Sequence, residues 1–321
     1  MEGLNQFMDR LTHTIIAILR RDGRISYSDI ARELKTSRDF VASRINPLIQ
    51  SGELRVIAAP HPRVLGLTVS AHFSIKVSGA IDPIAEVLGR LESIIFMSIT
   101  AGAHQLIVES QLANMTDLRQ QISMIRALDG VTELQVLVYE RILKSFFLEE
   151  EPEFSNYNFD DTDINIIAML QQDGRAGYAD IAQKVGLSLS GCRTRIQRLL
   201  GSGMMQIGAI KLRSDMTDDF LFGIGINVNG SDPGEAVKLL GADPGLEFMA
   251  RTVGRFDLVA TVNFDTLPDF NRLISQLRAL PSVAYCEQWL HVKILRERYD
   301  HTLEERKGEA LEITGDPRTA S

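Results

Sequence analysis

The chain is 321 residues long, 45% hydrophobic and 24% charged, with a net charge of −8 at pH 7, which is enough for two or three domains with cores of their own. No apolar run reaches the ~18 residues of a membrane-spanning helix, and the opening MEGLNQFMDRLTHT lacks the basic-then-apolar order of a secretory signal. Cys192 and Cys286 make neither a disulfide framework nor a zinc set, so the composition predicts a cytoplasmic protein without cofactor or structural metal. An acidic total excludes a surface that is basic throughout but not a local basic patch.

In chain order, Leu11, Ile15, Ile18 and Leu19 recur at helical spacing and are stopped by Asp22-Gly23. Ser26 or Tyr27 opens a short helix carrying Ile30, Ala31 and Leu34. After a break at Lys35-Thr36, a third helix starts from Ser37, a natural N-cap, and buries Val41, Ile45 and Leu48 before Ser51-Gly52. The β-prone LRVIAA (54–59) follows. Three short helices with a tight turn before the last, then a β wing, predict a winged helix-turn-helix over 9–60.

From 66 to 144 the period changes. LTVSAHFSIKV (67–77) alternates as a half-buried strand, and Asp82-Pro83 supplies a cap and first position for the helix IAEVLGRL. SIIFMSIT (93–100) and HQLIVES (104–110) flank Ala101-Gly102-Ala103 as a hairpin. MTDLRQQISMIRAL (115–128) is an amphipathic helix and VTELQVLVYERI (131–142) a closing strand. The order βαββαβ is ferredoxin-like.

The acidic EEEPEFSNYNFDDTD predicts a linker over 145–160, after which the plan starts again. A shift of 151 residues without gaps matches 17 of the 38 positions in 15–52, among them Asp22, Gly23, Arg24 and Tyr27 with Asp173, Gly174, Arg175 and Tyr178. The second half repeats more loosely: Asp82-Pro83 with Asp232-Pro233, Thr100-Ala101-Gly102 with Thr252-Val253-Gly254. A period this long makes each unit a whole module rather than a solenoid repeat. The prediction is an α+β chain: winged helix-turn-helix domains over 9–60 and 161–213, ferredoxin-like domains over 66–144 and 219–298, and a flexible polar tail over 299–321.

The motifs DGR-x-x-Y-x-D-IA at 22–31 and 173–182, GLS-x-S at 186–190, R-x-R-I-x-R-L at 193–199 and T-V-G-R-F-D-L at 252–258 resemble those of the Lrp/AsnC, or feast/famine, transcription regulators. That family joins a winged helix-turn-helix to a ferredoxin-like ligand-binding (RAM) domain; here two such modules cover roughly 9–295, a tandem arrangement where the family usually has one. The resemblance implies a DNA-binding regulator with a small effector, an amino acid or related metabolite. One chain then mimics the family's dimer, with sheets facing, heads about one turn of DNA apart, and further homo-oligomeric association through sheet edges and turns.

In such a motif the third helix enters the major groove. Arg193, Arg195 and Arg198, with Ser188, Ser190 and Thr194, are the candidates in the second head, guanidinium suiting both phosphate and guanine; Ser37, Arg38, Ser43 and Arg44 are those of the first. Lys and Arg outnumber Asp and Glu by 9 to 5 over 10–55 and by 7 to 4 over 161–213, so cation gathers in the two heads of an otherwise acidic chain. Pro47 stands where the second head has Arg198, and predicts a kink or early stop near Ile45-Asn46. The second head is therefore expected to carry more of the readout.

By resemblance, the hairpin turns carry the effector candidates: Thr252, Gly254, Arg255, Phe256 and Asp257, and in module one Thr100, Gly102 and His104. Asp257 suits an ammonium, and Arg255 or backbone N–H groups a carboxylate; Gln105 replaces that carboxylate in module one. No nucleophile–base pair or phosphate loop is evident, GIGINVNG (223–230) does not open a helix, and six dispersed histidines mark no catalytic centre, so the sequence predicts a non-enzyme. Two alternatives share the modules: a sirohaem-decarboxylase-like enzyme, whose signature runs are replaced here by Ala103-His104-Gln105 and Arg255-Phe256-Asp257, and an effector-binding assembly protein without DNA binding, favoured only by Pro47.

Overall fold

In the computed structural model, which describes residues 2–145, 157–211, 220–230, 232–298 and 311–313, the chain divides into two units that do not follow the sequence modules. Residues 1–65, 152–213 and 300–321 make one, and 66–151 with 214–299 the other. Head joins head, and sheet joins sheet.

The first unit holds α1 (Glu2–Arg21), α2 (Tyr27–Glu33), α3 (Arg38–Gln50) and β1 (Leu54–Pro60). Their counterparts are α6 (Asp161–Gln172), α7 (Tyr178–Val185), α8 (Leu189–Gly201) and β7 (Met205–Lys211). Side-chain caps start the helices as the sequence predicts: the Ser37 hydroxyl accepts from Phe40 N and that of Ser188 from Gly191 N, each at 3.1 Å. Ile15, Leu19, Ile30, Val41 and Ile45 are buried in the first head, and Ile164, Ile167, Leu170, Ile181, Cys192 and Ile196 in the second. Each strand predicted as a wing finds its partner in the other head. β1 and β7 run antiparallel from Leu54 opposite Lys211 to Pro60 opposite Met205.

Three expectations change here. Pro47 does not stop α3, which is helical through to Gln50; only the proline's own N–H is missing from the ladder, which resumes where Ser51 N donates to Pro47 O at 2.9 Å. The predicted linker and tail lie mostly outside the described residues, but their described pieces, β6 (Tyr157–Phe159) and β12 (Leu311–Ile313), pair antiparallel as a short sheet where a plain linker and a flexible tail were expected. Asp82 does not cap its helix; it lies in the first turn, behind Ile81, which makes no side-chain cap.

The second unit contains β2 (Val69–Val77), α4 (Asp82–Gly89), β3 (Ile94–Ala101), β4 (Leu106–Leu112), α5 (Met115–Arg126) and β5 (Val131–Lys144). Its second copy is β8 (Phe220–Val228), α9 (Gly234–Gly241), β9 (Leu246–Val253), β10 (Leu258–Phe264), α10 (Leu267–Ala279) and β11 (Val283–Glu297). Each copy is the βαββαβ unit, with strands ordered β3-β4-β2-β5 and β9-β10-β8-β11. Edge strands join, β5 to β9 and β11 to β3, closing all eight into one antiparallel barrel, which removes the unpaired edges two separate sheets would have.

Alternation along the strands divides the cores. Ala71, Phe73 and Ile75 pack with Ile84, Leu88, Leu118 and Ile125 of the first copy's helices, and Ile224 and Ile226 with Leu240, Leu273 and Leu277 of the second. Ile107, Leu137, Ala250, Phe256, Val259 and Trp289 form a third cluster across the two sheets. Trp289 and Phe256 lie against β8 where it carries Gly223 and Gly225; a Cβ there would come within 1.9 Å of the indole and 2.4 Å of the phenyl ring. Those glycines make room for the two rings that fill the barrel, each contributing about 1.5–3 kcal/mol by burial.

Candidate nucleic-acid interface and effector turns

The recognition helices follow directly from the repeat, and the structure sorts their candidate residues. On α3, Ser37, Arg38 and Ser43 are exposed and Arg44 half-buried. The Ser43 hydroxyl donates to Phe40 O at 2.8 Å and the Arg44 guanidinium lies 5.4 Å from the Phe40 ring, while Arg38 stands 3.7 Å from Asp39. On α8, Ser188, Ser190, Arg193 and Thr194 are exposed, the two serine hydroxyls 3.2 Å apart.

The three arginines of α8 are not alike. Arg195 donates to Asp160 at 2.6 Å and to Asp163 at 3.0 Å, and Arg198 to Asp163 at 3.2 Å. Both carboxylates belong to the capping box that starts α6. Although burial raises it, the Arg195 hydrogen bond holds the Asp160 carboxyl below its usual range. Arg193 instead stays exposed, 6.0 Å from the ring of Tyr178. Sequence spacing put three cations within one turn and a half of the helix but gave no sign that acidic residues some thirty positions earlier would occupy two of them.

The two hairpin turns repeat bond for bond. Thr100 Oγ1 donates to His104 O at 2.7 Å and Thr252 Oγ1 to Phe256 O at 2.6 Å, so both hydroxyls brace their own turn. Gly254 sits at φ +145°, and a Cβ on it would lie 2.9 Å from Val136 O, while one on Gly102 would lie 3.0 Å from Trp289 Cβ. Each turn thus abuts a strand of the other copy at close range. Phe256 is buried, its ring stacked 6.4 Å from Trp289, and the Asp257 carboxylate accepts from Val228 N at 2.8 Å.

Arg255 and His104 are brought into one polar chain. Arg255 donates to Gln135 Oε1 at 2.8 Å and pairs with Glu287; Gln135 donates to Glu133 at 2.7 Å. Glu133 lies 3.6 Å from His104 Nε2 and 3.7 Å from Lys76 Nζ, and that histidine nitrogen, though buried, has no hydrogen bond. Burial, with Arg255 nearby, pushes the His104 imidazole below its ordinary value against the pull of Glu133, which favours the uncharged ring. Sequence reasoning missed Lys76, Glu133, Gln135 and Glu287. Their only signal was strand alternation, which does not say that strands from both copies converge there.

Among the described residues no group of His, Cys, Asp and Glu is placed to hold a metal ion, and no helix is long and apolar enough to cross a membrane. The AsnC-type helix-turn-helix domain model matches twice, at 8–49 and 159–200. The chain carries two AsnC-type helix-turn-helix domains in tandem. A curated relative, an uncharacterized HTH-type transcriptional regulator of Pyrococcus abyssi, is 26% identical over 140 residues, 43% of this chain and 89% of the relative. The HTH-type transcriptional regulator LysM of Saccharolobus solfataricus is 25% identical over 128 residues, 40% of this chain and 89% of its own length. Such relatives are one module long. Over 92% of this chain the fold is similar to that of the solved sirohaem decarboxylase NirDL, at a TM-score of 0.58 and 13% identity, with 95% of that chain covered.

Proposed function

We propose that this chain is a cytoplasmic transcription regulator that grips one DNA duplex with both heads and takes a small effector, an amino acid or related metabolite, at the turns of its barrel. The observation that carries the reading is the pair of AsnC-type domains, each cationic in an otherwise acidic chain. The exposed start of α8, with Ser188, Ser190, Arg193 and Thr194, supplies base and phosphate contacts, and α3 does so through the exposed Ser37, Arg38 and Ser43 and the half-buried Arg44. Pro47 leaves α3 continuous, which removes the one feature that favoured heads without DNA contact.

Of the turn residues, Thr100, Thr252, Gly102, Gly254 and Phe256 shape the site, and Arg255 and His104 are the groups left to meet a ligand. Arg255 suits a carboxylate, at the cost of its pairing with Glu287. Chains associate further through these turns, so that ligand couples to assembly.

Gel shifts on the DNA around the protein's own gene, with and without each amino acid, test the proposal. A saturable shift altered by one amino acid is expected. An absent shift at low salt, together with tetrapyrrole binding seen as a Soret change, would transfer the chain to the decarboxylase reading that its fold permits.

A further inference from the structure

The most regular part of the repeat, Asp-Gly-Arg at 22–24 and 173–175, lies outside both recognition helices. Each aspartate stiffens its own loop: Asp22 Oδ1 accepts from Arg24 N at 2.9 Å and Asp173 Oδ1 from Arg175 N at 2.8 Å. The glycines seat the loops on the β1–β7 ribbon. Gly23 N donates to Ile207 O and Gly174 N to Val56 O, both at 2.8 Å. A Cβ on Gly174 would come 3.0 Å from the Val56 backbone, and one on Gly23 3.1 Å from that of Gly208.

The arginines then cross between heads. Arg24 donates to Gly174 O at 2.8 Å and to Ala176 O at 2.9 Å, and its guanidinium lies 4.5 Å from the Tyr178 ring. In return Arg175 donates to Ile25 O and lies 4.9 Å from the Tyr27 ring. Each tyrosine leads on to the recognition helix of its own head: Tyr27 OH donates to Asn46 of α3 at 3.2 Å, and Tyr178 faces Arg193 of α8.

We infer that Arg24 and Arg175 are positioning residues, a reciprocal latch that sets the separation of α3 and α8 and hence the half-site spacing the protein accepts. The inference rests on the DNA-binding reading for its consequence, not for its geometry. A two-stranded ribbon alone is a twisting, marginal element. The glycine N–H groups tie the ribbon to the two loops at symmetric points, the arginines tie the loops to each other, and the paired carbonyls that Arg24 meets suit the planar fork of a guanidinium.

The test uses the full chain with Arg24→Lys and Arg175→Lys, singly and together, which keep charge but lose the fork. Spin labels go on Gln50→Cys and Gly201→Cys, exposed equivalent positions near the ends of α3 and α8; the native Cys192 and Cys286 are buried. The distance distribution should be narrow in the parent and broad in the double variant; an unchanged distribution overturns the latch, whatever DNA does. On duplexes with half-sites moved by two base pairs, the parent should discriminate roughly tenfold and the variants little, with an unchanged salt slope. Retained discrimination also overturns the inference. A salt slope reduced by about 0.9 for each charge removed in Arg24→Gln and Arg175→Gln would make the arginines phosphate ligands instead. Should the double variant not fold, the single Arg24→Lys, which leaves the Arg175 half intact, reads the same two quantities. If the parent binds no duplex, the DNA reading fails while the distance measurement still decides the latch.

Discussion

Gln105 and Asp257 hold the same backbone in place by different chemistry. Gln105 Oε1 accepts from Val77 N at 3.0 Å, and Asp257 Oδ2 accepts from Val228 N at 2.8 Å, each at the last residue of the strand beside its turn. Their backbones match too, Gln105 N donating to Ile75 O and Asp257 N to Ile226 O. The loss of a carboxylate in module one is therefore a substitution between two struts. Asp257→Asn should keep the bond and change unfolding free energy little, whereas Asp257→Ala should lose about 1 kcal/mol. Denaturant unfolding of both variants checks this; equal losses would contradict it.

Lys35 takes φ +52°, the left-handed position after α2, where the second head has Gly186 at φ +71°. A side chain there costs about 1–2 kcal/mol of backbone strain. Part of a release is offset by the freer unfolded chain, so Lys35→Gly should stabilise by about 0.5–1 kcal/mol. Gly186→Ala should destabilise by a similar amount. A thermal melt of each decides the signs.

The heads should be acid-sensitive through one histidine. Burial, with Arg63 beside it, pushes the His61 imidazole down to about 3, and its Nδ1 accepts from Arg63 N at 3.2 Å. The folded value lies below the unfolded one, so the stabilisation is complete above about 6.5 and is lost as pH falls toward 3, by at most ~1.4 kcal/mol per unit. Melting temperatures of the parent and His61→Gln should converge between pH 7 and 4.5. Parallel curves would show that His61 contributes nothing to the slope.

Arg193 and Arg195 should separate affinity from stability. Arg193→Ala, at an exposed site, should weaken DNA binding by about 1–3 kcal/mol with little change in melting. Arg195→Ala leaves Arg198 as the arginine paired with the buried Asp163, beside the capping bond from Asp160 N, and should cost about 1–3 kcal/mol of folding stability. Anisotropy titrations and melts on the same two variants read both. A larger affinity loss from Arg44→Ala than from Arg193→Ala would reverse the ranking of the heads.

The elements were legible because each is locally determined: Ser37 and Ser188 cap, Gly186 ends a helix, and Ile30 and Ile181 sit at helical spacing. The repeat read them twice. What the sequence could not express is pairing across modules, since nothing in LRVIAA or MMQIGAI says that β1 will seek β7, or that β5 will close on β9. The early stop read from Pro47 does not occur, because a helix held by Val41 and Ile45 continues past a proline in its last turn. The two hairpin turns were legible as turns, but Glu133, Gln135 and Glu287 beside them come from strands whose alternation marks a face and no partner.

If the two tethered heads neutralise phosphates on one duplex, as proposed, the salt dependence of binding reads it out. Titrating a fluorescent duplex from the protein's own upstream region across a range of salt should give a saturable one-to-one complex. Its log K should fall linearly with log salt, by about 0.9 for each phosphate contacted. A flat dependence, or no saturable complex at the lowest salt, would contradict the account.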